Sequence, residues 1–376
     1  MKKKAILSVT NDVSTDQRVN KAAHTLYKLG FEVVIVGVKR KYSKPFSTSY
    51  AGIKRIPLLF HKKFLFYAEY NVKLLFFLLF SRFHLLVSND LDTLPACHLA
   101  AFLGRKSLIY DSHEYFTGTP EVIGRPFVRG VWKWIERRLF PRQKTIITVN
   151  DSIASLYEKE YGKKLHVVRN IPPYRAPKAC FPADELSLPP HKDIILLQGS
   201  GINIDRGAEE LLMAMDPRHG LKNAMLLIIG SGDVLPKLKE MAEQEGLNEE
   251  VCFMDRMSHE ELYEYTRYAM IGVSLDKDTN PNYRYSLPNK LFDYIMAGTP
   301  QLVSDLPEVA GIVRNFNTGM IIKDHDPAHI AACLKQMLSD RERLKLWEEN
   351  CLAAAKELCW ELEEQKLIKV FRPFLD

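Results

Sequence analysis

Short apolar runs and longer helical patterns alternate along the whole chain. Residues 5–9 form a continuous apolar run, as expected of a strand covered on both faces. Residues 19–29 then carry apolar positions at helical spacing and stop at Gly30, a residue suited to ending a helix. Residues 31–38 predict the next strand, and runs at 84–88, 107–110, 145–149 and 166–168 continue the series. Helical patterns at 94–103 and 152–160 fall between them. Strands alternating with helices predict a parallel, doubly wound sheet. Pro172, Pro173, Pro177, Pro182, Pro189 and Pro190 then crowd one stretch that cannot be regular structure, which predicts an interdomain linker. The alternation restarts with strands expected at 194–198, 225–229, 251–254, 271–275 and 301–304. Ser258-His259-Glu260-Glu261 spells a capping box for one helix, and the tail from Ala328 is mostly helical.

The predicted fold class is therefore α/β: two Rossmann-like doubly wound lobes facing each other across a cleft. The expected division is a first lobe at 1–171, a Pro-rich linker at 172–193 and a second lobe at 194–357. A helical tail at 358–376 is expected to pack back on the first lobe. In open α/β sheets ligands sit beyond the carboxyl ends of the strands, so a cleft between two such lobes is the expected site.

Composition narrows the function classes. At 376 residues the chain exceeds one ordinary domain, and 46% hydrophobic with 26% charged content excludes wholesale disorder. Lys+Arg 52 against Asp+Glu 46 leaves +6, a mild excess that suits an anionic small ligand or a membrane surface. No recognition motif is interleaved with the basic residues, so no nucleic-acid partner is expected. Cys97, Cys180, Cys252, Cys333, Cys351 and Cys359 form no C-x-x-C pair and read as free thiols in a reducing cytosol. The apolar run of MKKKAILSVTND breaks at Thr10, too early for a signal peptide, and a cytoplasmic location is expected.

Candidate chemistry lies just after the strands. In the first lobe these positions are Thr10-Asn11-Asp12, Asn89-Asp90-Leu91-Asp92, Asp111-Ser112-His113-Glu114 and Asn150-Asp151. Asn150 or Asp151 suits a helix cap, and Asp92 is expected to cap the helix from Thr93. His113 stands at a strand end between ionisable neighbours and is a candidate site residue. In the second lobe Gln198-Gly199-Ser200-Gly201-Ile202-Asn203-Ile204-Asp205-Arg206-Gly207 opens a helix. Glycines let a backbone approach a phosphate, the helix N-terminus offers N–H groups, and Arg206 adds a forked cation. Gly230-Ser231-Gly232 lacks the third glycine of a dinucleotide fingerprint.

The most specific segment runs from Tyr283 to Pro300, YRYSLPNKLFDYIMAGTP. Pro288 suits the first turn of a helix and Gly298 its end. Asn289 and Lys290 fall at the positive N-terminus, with Asp293 one turn deeper on the same side. A sugar nucleotide asks for that arrangement: the diphosphate meets the lysine and the helix N–H groups, and the ribose diol meets the carboxylate. A lysine at the positive end of a helix is mildly unfavourable, and an anion there would explain it.

With these motifs in view, the chain resembles the retaining, family-4 glycosyltransferases of the GT-B fold, many of which build bacterial surface polysaccharides. The matching pieces are NDVSTDQRVNKAAHTLYKLGFEV, NDLDTLPA, IYDSHEYF, QGSGINIDRGAEELL and SLPNKLFDYIMAGTPQLVSDLPEV, in the family's order along nearly the whole chain. The resemblance implies transfer of a sugar from a nucleotide-diphospho-sugar, uridine or guanosine type, to a glycan or lipid-linked acceptor in cell-surface polysaccharide synthesis. It implies no metal and no other cofactor. Arg206 matches one member of the basic pair that holds the diphosphate; the other falls near Ser200-Gly201 and is missing, and Lys290 is the candidate replacement. Asp293 matches the second acid of the family's Glu-x7-Glu motif, which meets the ribose, while the first acid falls on Tyr285. Asn289 and Lys290 occupy the turn facing the donor sugar, and His113 matches a histidine that reaches the transferred sugar. Arg256 and Met257 correspond to the stretch beside the base, and Gly199, Ser200, Gly201 and Asn203 to the donor loop. Asn11, Asp12, Asp16, Arg18 and Asp90 fall on the acceptor side, where Asn11-Asp12-Val13-Ser14 replaces the usual glycine pair.

Residues 61–80 and 125–142 are basic and aromatic; Glu69, Asn71 and Lys73 interrupt the first, which is short of a clean transmembrane span. Both are expected to bring the chain to an anionic membrane surface as a peripheral protein, the alternative being that they bury their apolar faces in the first lobe. Two alternative functions remain open at this stage: a sugar-nucleotide 2-epimerase of the same fold, and a non-catalytic nucleotide-sugar binder. Asp90-Leu91-Asp92 has the letters of a metal-binding Asp-x-Asp site, but the nucleotide signals lie in the second lobe.

Overall fold

The computed structural model describes residues 2–14, 16–41, 43, 45–176 and 184–375. The chain divides into two compact units, Met1–Asn170 with Leu362–Asp376, and Ile171–Glu361. The first holds a seven-stranded sheet built from β1 (Lys4–Ser8), β2 (Glu32–Lys39), β3 (Gly52–Pro57), β4 (Leu85–Asn89), β5 (Ser107–Ser112), β6 (Thr145–Thr148) and β7 (His166–Val167). Its order is β3-β2-β1-β4-β5-β6-β7, parallel throughout. The second holds β8 (Asp193–Gly199), β9 (Ala224–Gly230), β10 (Val251–Met254), β11 (Ile271–Ser274), β12 (Gln301–Ser304) and β13 (Gly319–Ile322), in the parallel order β10-β9-β8-β11-β12-β13.

Both sheets reverse direction once. The switch falls between β1 and β4 in the first unit and between β8 and β11 in the second. Chains leaving neighbouring strands in opposite directions open a crevice there, at the carboxyl edge. Helices cover both faces, so β1, β4 and β8 are buried along nearly their whole length and are largely apolar, with polar residues mainly toward their ends. Strand ends in the sequence reading are displaced by a residue or two from those observed, whereas 251–254 and 301–304 coincide with β10 and β12.

Two strands had no counterpart in the sequence reading. β3 (Gly52–Pro57) is an edge strand with Lys54 and Arg55 in it and only Ile56 buried. β13 (Gly319–Ile322) is an edge strand of four residues, just after the left-handed Asn317. Edge strands need little apolar surface, so periodicity does not reveal them. Pro288 is a cap rather than a first-turn residue, and the helix begins at Asn289. Part of the expected linker at 172–193 is packed: Leu186 and Leu188 enter an apolar core of the second unit, and β8 begins at Asp193. Pro177, Cys180 and Pro182 lie outside the described residues. In the first unit, Glu364 of the C-terminal helix Trp360–Phe371 accepts from Thr25 and Lys28 on the helix Gln17–Lys28.

One close approach positions the second switch point. Tyr294, on the helix Asn289–Ala297, is fully buried and donates to the carbonyls of Leu196 and Val273, on β8 and β11. Gly272 lies under its ring; a Cβ there would stand 2.5 Å from the ring carbons. Gly272→Ala should cost about 1–3 kcal/mol through overpacking. A lower melting temperature, partly recovered in Gly272→Ala/Tyr294→Leu, is the expected result; an unchanged melting temperature would show that the helix has slack on the sheet.

Candidate active site

In the first unit the polar groups gather at the carboxyl ends of β1, β4 and β5. Arg18, only 7% exposed, is fixed on Asp111, with Nε 3.1 Å from Oδ2 and Nη2 2.6 Å from Oδ1. Its Nη1 donates to the Val168 carbonyl at 2.8 Å. The pair ties the first helix to β5 and to the chain after β7. Burial alone would raise the Asp111 carboxyl, but Arg18 and His113 outweigh it and hold it well below the usual range.

His113 stands one residue beyond β5. Its Nδ1 lies 3.3 Å from Asp90 Oδ2, and its Nε2 lies 3.1 Å from Asn89 Oδ1 and 3.6 Å from Asp111 Oδ2. Burial disfavours the charged ring, yet the carboxylates of Asp90 and Asp111 outweigh it and push the imidazole up to about 9. With an oxygen facing each nitrogen, the ring is a cation at neutral pH. Asp90 has a left-handed backbone, φ 59°, and also accepts from the His113 N–H at 2.8 Å. Strain of that kind is retained where surroundings fix it.

Asp92 corrects one expectation. The helix Leu94–Gly104 has Thr93 as its N-cap, in a helical conformation and with no side-chain cap bond. Asp92 is instead buried, accepting from the Thr10 hydroxyl at 2.6 Å. Burial and the nearby Asp90 charge push its carboxyl up to about 8, against the Thr10 bond. Asn150 does cap its helix, accepting from the Ile153 N–H at 2.8 Å.

Of the residues placed on the acceptor side, Asp90 is paired with His113, and three more are held by structural partners. Asp16 caps the helix Gln17–Lys28, Arg18 is buried on Asp111, and Asp12 accepts from Ser14, Ser43 and Arg55. Burial opposes these bonds, but together they bring Asp12 down to about 2. Asn11 is exposed and donates to Asp16 at 3.3 Å.

In the second unit the switch point is lined by the loop after β8, the residues after β11 and the N-terminus of the helix Asn289–Ala297. The loop after β8 is stitched to the loop after β9: the Ser231 N–H donates to Gly199 and the Ile202 N–H to Ser231. Gly232 must lack a side chain, since a Cβ would meet the Ile202 carbonyl at 1.9 Å. Ser200 and Gly201 are left exposed at the bend, and Asn203 accepts from the Asp233 N–H at 3.3 Å. Arg206 is held by Asp276 at 2.6 Å and lies over the Tyr283 ring, 4.3 Å from its centroid. Its Nε is buried without a hydrogen-bond partner among the described residues, as is Asp276 Oδ1.

Lys290 contrasts with Arg206. Half-buried, its ammonium has no hydrogen bond or ion pair among the described residues. Burial pushes its pKa down; Asp276 opposes that and the charge of Arg206 adds to it, so the two cations act on one another. No side chain caps the helix they face. Asp293 Oδ2 accepts from Gln198 at 3.3 Å, and Gln198 in turn accepts from Thr266 at 2.7 Å. Tyr285 ends the short helix Pro281–Arg284, with the Arg284 guanidinium 5.7 Å above its ring. Asn289 is exposed, as is Arg256 after β10, while Met257 packs against an apolar core.

Asn89, Asp276, Gln198 and Tyr283 belong to these sites but were not singled out as site residues in the sequence. Asp276 had a readable signal, since it follows β11 as Arg206 follows β8. A depression of about 400 Å³ lies at the opposite edge of the second sheet, beside Met270 and Pro300. Two of its cations, Arg267 and Arg341, are paired with Glu264 and Asp193, and it holds none of the strand-end groups.

Two parallel doubly wound sheets with their polar groups at the switch points have the architecture of the GT-B fold. Residues 17–171 match the model for "Glycosyltransferase Family 4", and residues 184–352 that for "Glycosyl transferases group 1". The chain belongs to the family-4 glycosyltransferases. It is similar to the D-inositol 3-phosphate glycosyltransferase of Nocardia farcinica, 28% identical over 229 residues, 56% of this chain and 48% of that one. The chain thus spans about half the length of the curated relatives it matches. Its fold is similar to that of sucrose-phosphate synthase from Thermosynechococcus elongatus, with TM-score 0.80, 16% identity and 99% of each chain covered. Another similar fold is Anabaena Alr3699/HepE, solved in complex with UDP and glucose, with TM-score 0.77 and 11% identity over 99% of this chain and 100% of that one.

Two stability measurements test the first-unit cluster. Arg18→Ala leaves the Asp111 carboxylate buried without its cation, and should cost roughly 3–5 kcal/mol, seen as a lower melting temperature. Asp92 titrates at about 8 when folded, against about 3.9 unfolded. Its stabilising effect is therefore full below the lower value and is lost as pH rises through the higher one. Asp92→Asn cannot ionise, so its melting temperature should fall less between pH 6 and 9 than that of the wild type. Equal slopes would show that Asp92 is not the group titrating there.

Proposed function

We propose that this chain is a retaining hexosyltransferase that moves a sugar from a UDP- or GDP-sugar to a glycan or lipid-linked acceptor in cell-surface polysaccharide synthesis, without a metal ion. The observation that carries the reading is the unpaired Lys290 beside Arg206, whose Nε is also unsatisfied, at an uncapped helix N-terminus. A half-buried ammonium without a partner is costly, as is a buried N–H left unbonded, and a diphosphate supplies what each lacks. The complex of Alr3699/HepE with UDP and glucose supports a nucleotide-sugar donor.

In this reading Gly199, Ser200, Gly201 and Asn203 admit the diphosphate to the backbone of the loop after β8. Asp293, oriented by Gln198, takes the ribose diol. Arg256 and Met257 flank the base, Asn289 and Tyr285 face the sugar, and His113 is taken, on the family resemblance, as a sugar-contacting residue. Asn11 and Asp90 offer the acceptor its polar contacts. The sugar C1–O bond breaks with its electron pair going to the diphosphate, where Arg206, Lys290 and the helix N-terminus meet the growing charge. The acceptor oxygen bonds to C1 on the face the diphosphate leaves, and its proton passes to the departing phosphate oxygen. No protein base is required for that step.

Thermal unfolding in chelator against a panel of UDP- and GDP-sugars tests the donor site. A donor at 100 times its dissociation constant should add about 2.7 kcal/mol. Asp293→Ala should lose this gain, and Lys290→Ala should lose the part specific to diphosphates while retaining binding of the nucleoside. Transfer by Lys290→Ala or Arg206→Ala should fall about 100-fold or more. No stabilisation by any donor would remove the reading; tight donor binding with no transfer to any acceptor would make the chain a non-catalytic binder. Activity restored only by a divalent ion would overturn the metal-independent step.

A further inference from the structure

The first unit carries an outer surface that its own fold does not use. The helix Lys63–Leu79 buries Phe66, Tyr70, Leu74 and Leu78 on the sheet. At 100° per residue, Leu65, Val72, Phe76 and Leu79 fall on the opposite side, and all four are exposed, Phe76 by 57%. The helix Leu94–Gly104 repeats this. It buries Cys97, Ala100 and Ala101, has no charged side chain, and exposes Leu99, Phe102 (73%) and Leu103. The helix Pro126–Leu139 buries Trp132 and exposes Phe127 and Trp134. These helices pack side by side in that order, on one face of the sheet. A helix that is apolar on both faces is normally covered on both. Among the described residues no helix is long and apolar enough to cross a membrane.

Charge indicates what covers this face. Each helix runs back from the carboxyl edge of the sheet to the amino edge, because each joins two parallel strands. Arg82, Arg105 and Lys106 follow the first two helices, and Arg137 and Arg138 end the third, so all five reach the amino edge, exposed. Phe80 (87% exposed), Phe102 and Leu103 lie beside them. Cations at helix C-termini are favoured by the helix dipole, which explains part of the pattern. The dipole does not explain the aromatic side chains among them. Glu69 is spent on Lys73 and on the Leu59 and Phe60 N–H groups.

We infer that this three-helix face binds the surface of an anionic lipid bilayer, with its exposed phenylalanine and leucine side chains in the interface and the edge cations on headgroup phosphates. Apolar area and electrostatic attraction act together in such binding. The surface belongs to the first unit and stands independently of the donor site.

Flotation of the full chain with vesicles tests this. Wild type should float with phosphatidylglycerol-containing vesicles and much less with pure phosphatidylcholine. Trp134 fluorescence should shift to the blue on binding, a change absent in Trp134→Phe. Phe76→Ser/Phe102→Ser should weaken partitioning by about tenfold or more, and Arg137→Glu/Arg138→Glu should do so on anionic vesicles at low salt. All four sites are exposed, so melting temperatures should be unchanged; a melting shift in one variant leaves the other to decide. No flotation of the wild type, or equal binding to neutral vesicles, would overturn the proposal. So would dimerisation abolished by Phe76→Ser/Phe102→Ser without any flotation, which would assign the face to a second copy. Donor-induced stabilisation of the same samples reports the transferase site separately.

Discussion

Parallel strands impose the constraint on which this molecule depends. Each strand must be reached by a crossover, so every strand in a sheet ends at the same edge, and the chain's polar groups collect there. A single reversal of strand order then opens one crevice in each sheet, between β1 and β4 and between β8 and β11. Asn11, Asp90 and His113 come together at the first for that reason, and Arg206, Asp276 and Lys290 at the second. Segments far apart in sequence are brought together by topology; Arg18 meets Asp111 across 93 residues.

Charge is balanced differently at the two edges. In the first unit the carboxylates of Asp90 and Asp111 are met by His113 and Arg18, and Asp92 sheds its charge by keeping its proton. Within that cluster the charges come close to cancelling. In the second unit one carboxylate, Asp276, serves Arg206, while Lys290 has none of its own. The Lys290 ammonium is kept partly out of water there without a bonded carboxylate, an arrangement that lowers stability unless an anion arrives. The difference in charge, more than any difference in fold, separates the roles proposed for the two units.

The sequence was most legible where burial is most complete. The apolar runs around β1, β4, β8, β10 and β12 show through because both faces of those strands are covered, and the Ser258–Glu261 capping box forms as its letters imply. β3 and β13 were not legible, because an edge strand can carry Lys54 and Arg55 or shrink to four residues. Among site residues, Lys290 and Asp293 could be placed from their spacing on one helix. Partners could not: nothing near Arg18 names Asp111, and nothing near Asp92 names Thr10. Asp92 was read as a cap because capping is a local property of sequence, whereas its actual bond spans 82 residues. Tyr285 illustrates the remaining gap. Its position is clear, but the consequence of a phenol where the family has a carboxylate depends on a sugar that the chain alone does not specify.

The same topology that gathers the chemistry also separates it from the face proposed to meet lipid. Helices returning antiparallel to the strands deliver their C-termini, and the cations favoured there, to the amino edge. The polar residues of β4 and β5 sit at the other end of strands of five and six residues. At about 3.3 Å per residue that is a separation of about 16–20 Å. The cations therefore turn the amino edge toward the headgroups and leave the edge carrying Asp90 and His113 at the other end of the same strands, so the proposed lipid contacts and the candidate acceptor contacts draw on different residues.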